Sequence, residues 1–189
     1  RMRYTFGAFY MDERNHTQFA DLIGVPTFVL VDRDLRNDTR SYAGYGQVEY
    51  DFADAWTAIV GARWTREDKD LELLYTPTFG TPFTEAALPA FGYAPEQTTR
   101  QTTPKFALQF RPRDGLMLYA SATNGFKSGG WNARTDSPQL LNDFGREEVW
   151  SYEVGARSET FDRRLRINAT LFHAKYSDLQ IATQLPGTS

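Results

Sequence analysis

The side chains able to do chemistry in this 189-residue chain are sparse and scattered. The two histidines, His16 and His173, lie far apart and lack metal-ligand spacing. There is no cysteine, which removes thiolate metal sites, disulfides and a cysteine nucleophile. Residues 125–128 (GFKS) hold the residue types of a phosphate loop in the wrong order and without its upstream glycine. Residues 66–72 (REDKDLE) are rich in carboxylates but lack the calcium-loop pattern, and read as a solvated strand end. No GxSxG nucleophile motif occurs. The Asn-X-Thr triplets read as chance, since the last lies inside a strand-like run. The net charge of −3 gives no electrostatic case for nucleic acid as a partner. These absences predict a protein that is not an enzyme and needs no metal or cofactor.

The information lies in the pattern that would position such groups. With 14 Phe, 10 Tyr and 4 Trp the composition favours β structure. Alternating runs recur at residues 3–10, 42–51, 56–65, 105–111, 116–123, 150–159 and 165–172. In residues 150–159, Trp150, Tyr152, Val154 and Ala156 share one parity, while Ser151, Glu153, Gly155, Arg157 and Glu159 share the other. In a strand these parities point to opposite faces, so the runs predict antiparallel strands. Three connections are short: FADA (52–55), PRDG (112–115) and FDRR (161–164). They alternate with long ones, roughly 12–41, 66–103 and 125–148. Residues 28–31 (FVLV) read equally as loop or as strand, the latter as a hairpin within the loop.

This asymmetry suits a transmembrane barrel with short periplasmic turns and long extracellular loops. Trp56 and Trp64 bracket Ala58, Val60 and Ala62. They lie roughly 26 Å apart along a strand, or roughly 20 Å once tilted, near the height of a barrel's apolar band between its aromatic girdles. A soluble sandwich would place bulky apolar residues at mid-strand. The residues favour the barrel and leave open a soluble β-sandwich that binds carbohydrate, or a small structural or adhesin barrel. No run of about 18 apolar residues encodes a transmembrane helix. The mean hydropathy of −0.54 does not bear on a barrel, because alternating faces cancel.

The stretch NGFKSGGWNAR (124–134), preceded by LMLYASAT and followed by EEVWSYEVGARSETFDRRLRINATLFHAKYSDLQI, resembles TonB-dependent outer-membrane receptors. The motifs stand in that family's order and spacing over residues 106–181, and earlier segments agree in style. The resemblance is strongest to siderophore receptors, though glycan and cobalamin transporters share the architecture. It implies an all-β, up-and-down transmembrane barrel of roughly 22 strands, occluded by a plug that the TonB complex pulls. About seven strands cannot close such a barrel, so residues 1–189 are expected to be a partial receptor barrel domain, lacking the plug and the remaining strands. The implied place is the outer membrane of a Gram-negative bacterium. The implied partners are outer-membrane lipid, the protein's own plug domain, TonB through that plug, and a small-molecule nutrient. That nutrient would be a ferric siderophore, an iron chelate carried as cargo.

On this reading Trp56, Val60, Trp64, Trp150, Tyr152, Val154 and Ile167 face lipid. Arg63, Arg111, Glu153, Arg157 and Arg166 face the lumen and plug, where salt-bridge ladders are their simplest role. Lys127, Trp131, Asn132 and Arg134 are the candidate ligand-binding residues of an extracellular loop, since anionic chelates favour cations and aromatics. The competing reading makes GFKSGGW a structural bend whose glycines allow close packing.

Overall fold

The computed structural model describes residues 1–24, 28–133 and 141–181. Seven long strands form one antiparallel sheet in which each pairs with its sequence neighbours. They are β1 (Met2–Ile23), β2 (Phe28–Ala53), β3 (Trp56–Pro77), β5 (Glu96–Arg113), β6 (Leu116–Lys127), β9 (Glu147–Thr160) and β10 (Leu165–Ser177). Two-residue β4 (Phe83–Thr84) pairs with the top of β3 and leads into a 3-10 turn, Glu85–Phe91. Two further short strands, β7 (Gly130–Trp131) and β8 (Asp143–Phe144), pair with each other. Every alternating run seen in the sequence lies inside one of the seven long strands. The result is an antiparallel half-barrel wall.

The strands outrun the expected boundaries. The first expected loop, roughly 12–41, is instead a continuous ladder. β1 and β2 pair from Met2↔Tyr50 up to Ile23↔Phe28, and residues 28–31 begin β2 as strand. Above Tyr10↔Tyr42 this arm continues for roughly 40 Å at about 3.3 Å per residue. The loop expectation failed because periodicity registers a strand only where its two faces meet different surroundings. Residues 12–18 and 36–41 are polar at both parities, so the pattern vanishes there. The backbone ladder does not need it, and cross-strand pairs such as His16 Nε2 to Asp34, at 2.7 Å, accompany it.

The opposite ends close tightly. Asp54 and Ala55 form the first turn, with a bulge between Asp51 and Ala53. Asp114 and Gly115 form the second; Gly115 sits at φ 75° and its carbonyl accepts from the Glu159 amide at 2.7 Å. The third turn places Phe161, Asp162 and Arg163 at positive φ and closes through Arg164 N–H to the Phe161 carbonyl at 3.0 Å.

The sheet's two faces differ in crowding. On β3, Thr57, Ile59 and Thr65 are buried, whereas Val60 is 52% and Trp64 47% exposed. Crowding of one parity is what curvature produces on the inside of a bent sheet. The exposed parity carries Tyr4, Phe6, Tyr42, Val48, Tyr50, Val60, Phe106, Tyr152, Val154 and Ile167. Aromatic contacts near its margins include Tyr10–Tyr42 at 5.2 Å and Trp56–Phe110 at 4.4 Å between ring centroids.

The wall also splits. β5 pairs with β3 without interruption from Trp56↔Phe110 to Asp70↔Glu96. Its ladder with β6 ends at Lys105↔Thr123. Pro104 comes next and has no N–H to donate, so β6 continues upward bonded to β9 alone.

Candidate functional site

The split between β5 and β6 is closed on the loop side by the strap that leaves β6. Successive carbonyls of this strap are held by side chains from three other places in the chain. Gln180, just beyond β10, donates from Nε2 to the Ser128 carbonyl at 3.0 Å and to the Gly145 carbonyl at 2.9 Å. Lys69, on β3, donates from Nζ to the Gly129 carbonyl at 2.9 Å and to Ser128 Oγ at 2.8 Å. Gln97, on β5, donates from Nε2 to the Gly130 carbonyl at 3.1 Å. The Gln180 backbone N–H also donates to Glu147 Oε2 at 2.9 Å, fixing the start of β9. At the base, Asn124 Nδ2 donates to Glu148 at 2.7 Å.

The glycines admit this closure. A Cβ on Gly129 would stand 2.3 Å from the Phe144 carbonyl oxygen and 2.9 Å from Gln97 Oε1. One on Gly130 would stand 3.1 Å from the Phe144 ring. The small residues therefore permit close approach of two chain segments and of a clamp side chain, with no unusual dihedral needed.

Beside the strap lies an apolar cluster absent from the strand-centre pattern. Val31, Leu71, Leu73, Tyr75, Leu88 and Leu141 are buried together, and Trp131, Tyr93 and Phe83 pack against them. Leu71, Leu73 and Tyr75 share the crowded parity of β3, so the loops fold inward over that face. Arg33 is buried in the same region. It pairs with Asp21 at 2.7 Å, donates from Nε to Tyr75 Oη at 2.5 Å, and lies over the Phe19 ring at 5.0 Å.

The four loop candidates fall on or beside the strap. Lys127 is exposed at the end of β6, opposite Glu147. Trp131 packs on the apolar cluster and donates from Nε1 to the Ala94 carbonyl at 2.8 Å. Asn132 is exposed, and its backbone N–H binds the Asn142 carbonyl at 2.8 Å. Arg134 lies outside the described residues. The structure thus brings Trp131 into packing and leaves Lys127 and Asn132 open.

The five wall residues all sit on the crowded parity. Arg63 lies over the Phe9 ring at 5.2 Å and donates to Thr65 at 3.2 Å. Arg111 donates to Gln109 at 2.6 Å, and Arg157 lies over the Tyr119 ring at 5.7 Å. Glu153 accepts from Ser151 at 3.4 Å. Arg166 pairs with Glu159, its Nε at 2.9 Å. Of these five, Arg166 alone makes an ion pair among the described residues; elsewhere on the same parity Arg3 pairs with Glu49 at 3.2 Å and with Asp51 at 2.6 Å. The seven residues assigned to lipid lie on the opposite parity, where Val60, Trp64, Tyr152, Val154 and Ile167 are exposed.

The clamp residues Lys69, Gln97 and Gln180 were not legible as a site. Lys69 lies in REDKDLE, which is not a solvated strand end. It is an interior stretch of β3, and the Lys69 and Glu67 side chains are only 20% and 16% exposed. Among the described residues no group of acidic or imidazole side chains could hold a metal ion.

The comparisons with known proteins agree with this architecture. The family described as "TonB dependent receptor-like, beta-barrel" matches residues 1–189. The chain is 26% identical over 136 residues to the metal-pseudopaline receptor CntO of Pseudomonas aeruginosa, covering 72% of the chain and 17% of that receptor. It is 29% identical over 141 residues to the ferric-pyoverdine M114 receptor PbuA of Pseudomonas sp. strain M114, covering 74% of the chain and 15% of the receptor. The chain thus spans less than a fifth of these relatives. The crystal structure of the ferric yersiniabactin uptake receptor FyuA from Yersinia pestis superposes with a TM-score of 0.80 at 17% identity, over 96% of this chain and 27% of that one. The siderophore receptor PiuA from Acinetobacter baumannii gives 0.65 at 16% identity, over 90% and 28%. A seven-strand half-barrel of the right topology and a family match over its whole length lead to one conclusion: the chain belongs to the β-barrel family of TonB-dependent receptors of the outer membrane.

Proposed function

We propose that this chain is part of the wall of an outer-membrane active transporter that takes up a metal–siderophore complex. Energy comes from TonB, acting through the protein's own plug domain. The observation that carries the cargo assignment is that the two relatives above are by name receptors for metal–pseudopaline and ferric pyoverdine. The geometry supports the wall role. The exposed apolar parity suits lipid, and the crowded parity, with Arg63, Arg111, Glu153, Arg157 and Arg166, suits the lumen and plug. The chain itself performs no bond chemistry. Its strap holds Lys127 and Asn132 at the mouth, where a cation and an amide suit an anionic chelate.

The test is uptake of a radiolabelled iron–siderophore by cells carrying or lacking the gene. Uptake should need the gene and cease when TonB is deleted, while surface binding persists. Uptake unaffected by TonB loss would refute energised transport. Gene-dependent uptake of cobalamin or a glycan instead would refute the cargo.

A further inference from the structure

The split in the wall leaves β5 with an open side. At one end of its ladder with β3, Arg111 N–H donates to the Ala55 carbonyl at 2.7 Å. At the other, the Pro95 carbonyl accepts from Leu71 N–H at 2.8 Å. Odd-numbered residues of β5 therefore turn their backbone N–H and C=O toward β3, and even-numbered residues turn theirs away from it. Below Pro104 that second side is taken by β6. Above it, the peptide groups of Thr98, Arg100 and Thr102 face the split and have no backbone partner among the described residues. A row of unpaired backbone groups is a template for one more strand.

The side chains along this edge define what such a strand carries. Arg66 and Arg100 are direct cross-strand partners, the next pair on the same face above Trp64↔Thr102. Like charges directly opposite each other destabilise a sheet. Arg66 is relieved by Asp68 at 2.9 Å, and Asp68 also accepts from Thr98 at 2.7 Å. Arg100 is exposed and makes no ion pair among the described residues. A residue directly opposite Arg100 on an added strand falls on the same face, beside the guanidinium. A polar cavity of about 310 Å³ lies along the edge. It is lined by Thr98, Thr99 and Arg100 on one side and by Asp143 and Arg146 of the segment leading into β9. Arg146 is likewise exposed and without an ion pair among the described residues. Two arginines against one carboxylate favour an anionic occupant.

We propose that the open edge of β5, from Thr98 to Thr102, takes an extended peptide segment of a partner protein at the cell surface. The segment adds antiparallel as one more strand, with a Glu or Asp opposite Arg100. Main-chain hydrogen bonds to Thr98, Arg100 and Thr102 supply the affinity, and the carboxylate beside Arg100 sets the register. β-branched residues two places before and after it stand opposite Thr98 and Thr102, a pairing that suits a pleated surface. The edge begins at the Trp64 row and runs away from the apolar band, so the partner reaches it from water. A bare anion uses the arginines without the edge. A length of the receptor's own chain fills the edge before any partner arrives. The experiment separates both from an added strand.

The experiment uses the intact receptor in nanodiscs and a capped, fluorescently labelled peptide, Thr-Val-Thr-Glu-Thr-Val-Thr. Saturable binding by fluorescence anisotropy is expected, undisturbed by millimolar acetate. Replacing the central Glu by Lys should weaken it at least tenfold, and so should methylating the backbone nitrogens of the Glu and both Val. Arg100→Gln should weaken it at least threefold. Thr102→Pro takes one N–H from the edge, leaves the β3 ladder intact, and should weaken it at least fivefold. Hydrogen exchange at the Thr98, Arg100 and Thr102 amides should be fast in the free receptor and slow with peptide bound. Absence of saturable binding, equal binding of the Lys or methylated peptide, or full binding by Thr102→Pro overturns the proposal. Displacement by acetate overturns it in favour of a simple anion site. Slow exchange at those amides before peptide is added overturns it in favour of an edge the receptor fills itself. Assembly of both variants is checked by resistance to unfolding in SDS, and the two altered peptides test the site on the unaltered receptor.

Discussion

Replacing Lys69 by Met keeps the aliphatic stem on β3 and removes the ammonium that binds Ser128 Oγ at 2.8 Å and the Gly129 carbonyl at 2.9 Å. Hydrogen bonds to a charged group contribute about 1.5–3 kcal/mol each. The side chain is 20% exposed, and its charge is shared with Glu67 at 3.3 Å. Water can reach the freed carbonyl and the serine hydroxyl can rotate, so the two bonds do not count in full. A net loss of about 2 kcal/mol is the reasonable magnitude, and it is local, because Lys69 binds the strap and not the lower wall. About 2 kcal/mol is roughly a 30-fold change in an opening equilibrium. The assay is amide hydrogen exchange by mass spectrometry on the intact receptor in nanodiscs. Peptides covering 128–133 should exchange roughly 30-fold faster in Lys69→Met, and those covering the middle of β9 should not change. Unchanged exchange across the strap would refute the clamp. Acceleration spread equally over β9 and β10 would refute its local character.

Other outcomes follow from named contacts. Val60→Arg and Val154→Arg should each destabilise membrane assembly by about 2–4 kcal/mol, read as a lower folded fraction in urea titration. Gly115→Val should lower the unfolding midpoint, since φ is 75° and a Cβ would stand 2.6 Å from the Glu159 carbonyl oxygen. Asp68, above the Trp64 girdle, is held below the usual carboxylate range, first by its hydrogen bond from Arg66. Its stabilising contribution is therefore complete above about pH 4 and fades as pH falls through the lowered folded value. Carboxyl-carbon NMR should show Asp68 titrating below an unpaired aspartate, and Arg66→Gln should raise its midpoint.

What could be read in advance divides along a physical line. Trp56 to Trp64 and Trp150 to Ala156 were legible because the two faces of a membrane wall meet different solvents, which writes a period of two into the residues. Residues 12–41 were not, because 12–18 and 36–41 are polar at both parities and the ladder persists there without a pattern. The same limit hid Lys69, whose strap partners are the Ser128 hydroxyl and the Gly129 carbonyl, 59 and 60 residues away. No local pattern encodes a carbonyl acceptor. Of the loop candidates, Trp131 was visible as an aromatic beside glycines. Its packing on the buried apolar cluster depended on loops folding inward, which no spacing reveals.

The orientation of the wall can be measured most directly on β9, because residues 1–189 contain no cysteine and any elsewhere in the receptor can be replaced by serine. Single cysteines carrying a spin label at each position from Trp150 to Arg157, in the reconstituted receptor, would be tested against oxygen and against a water-soluble nickel chelate. Positions 150, 152, 154 and 156 should respond to oxygen, and 151, 153, 155 and 157 should not. The opposite alternation, or equal nickel access at both parities, would contradict the assignment of this face to lipid.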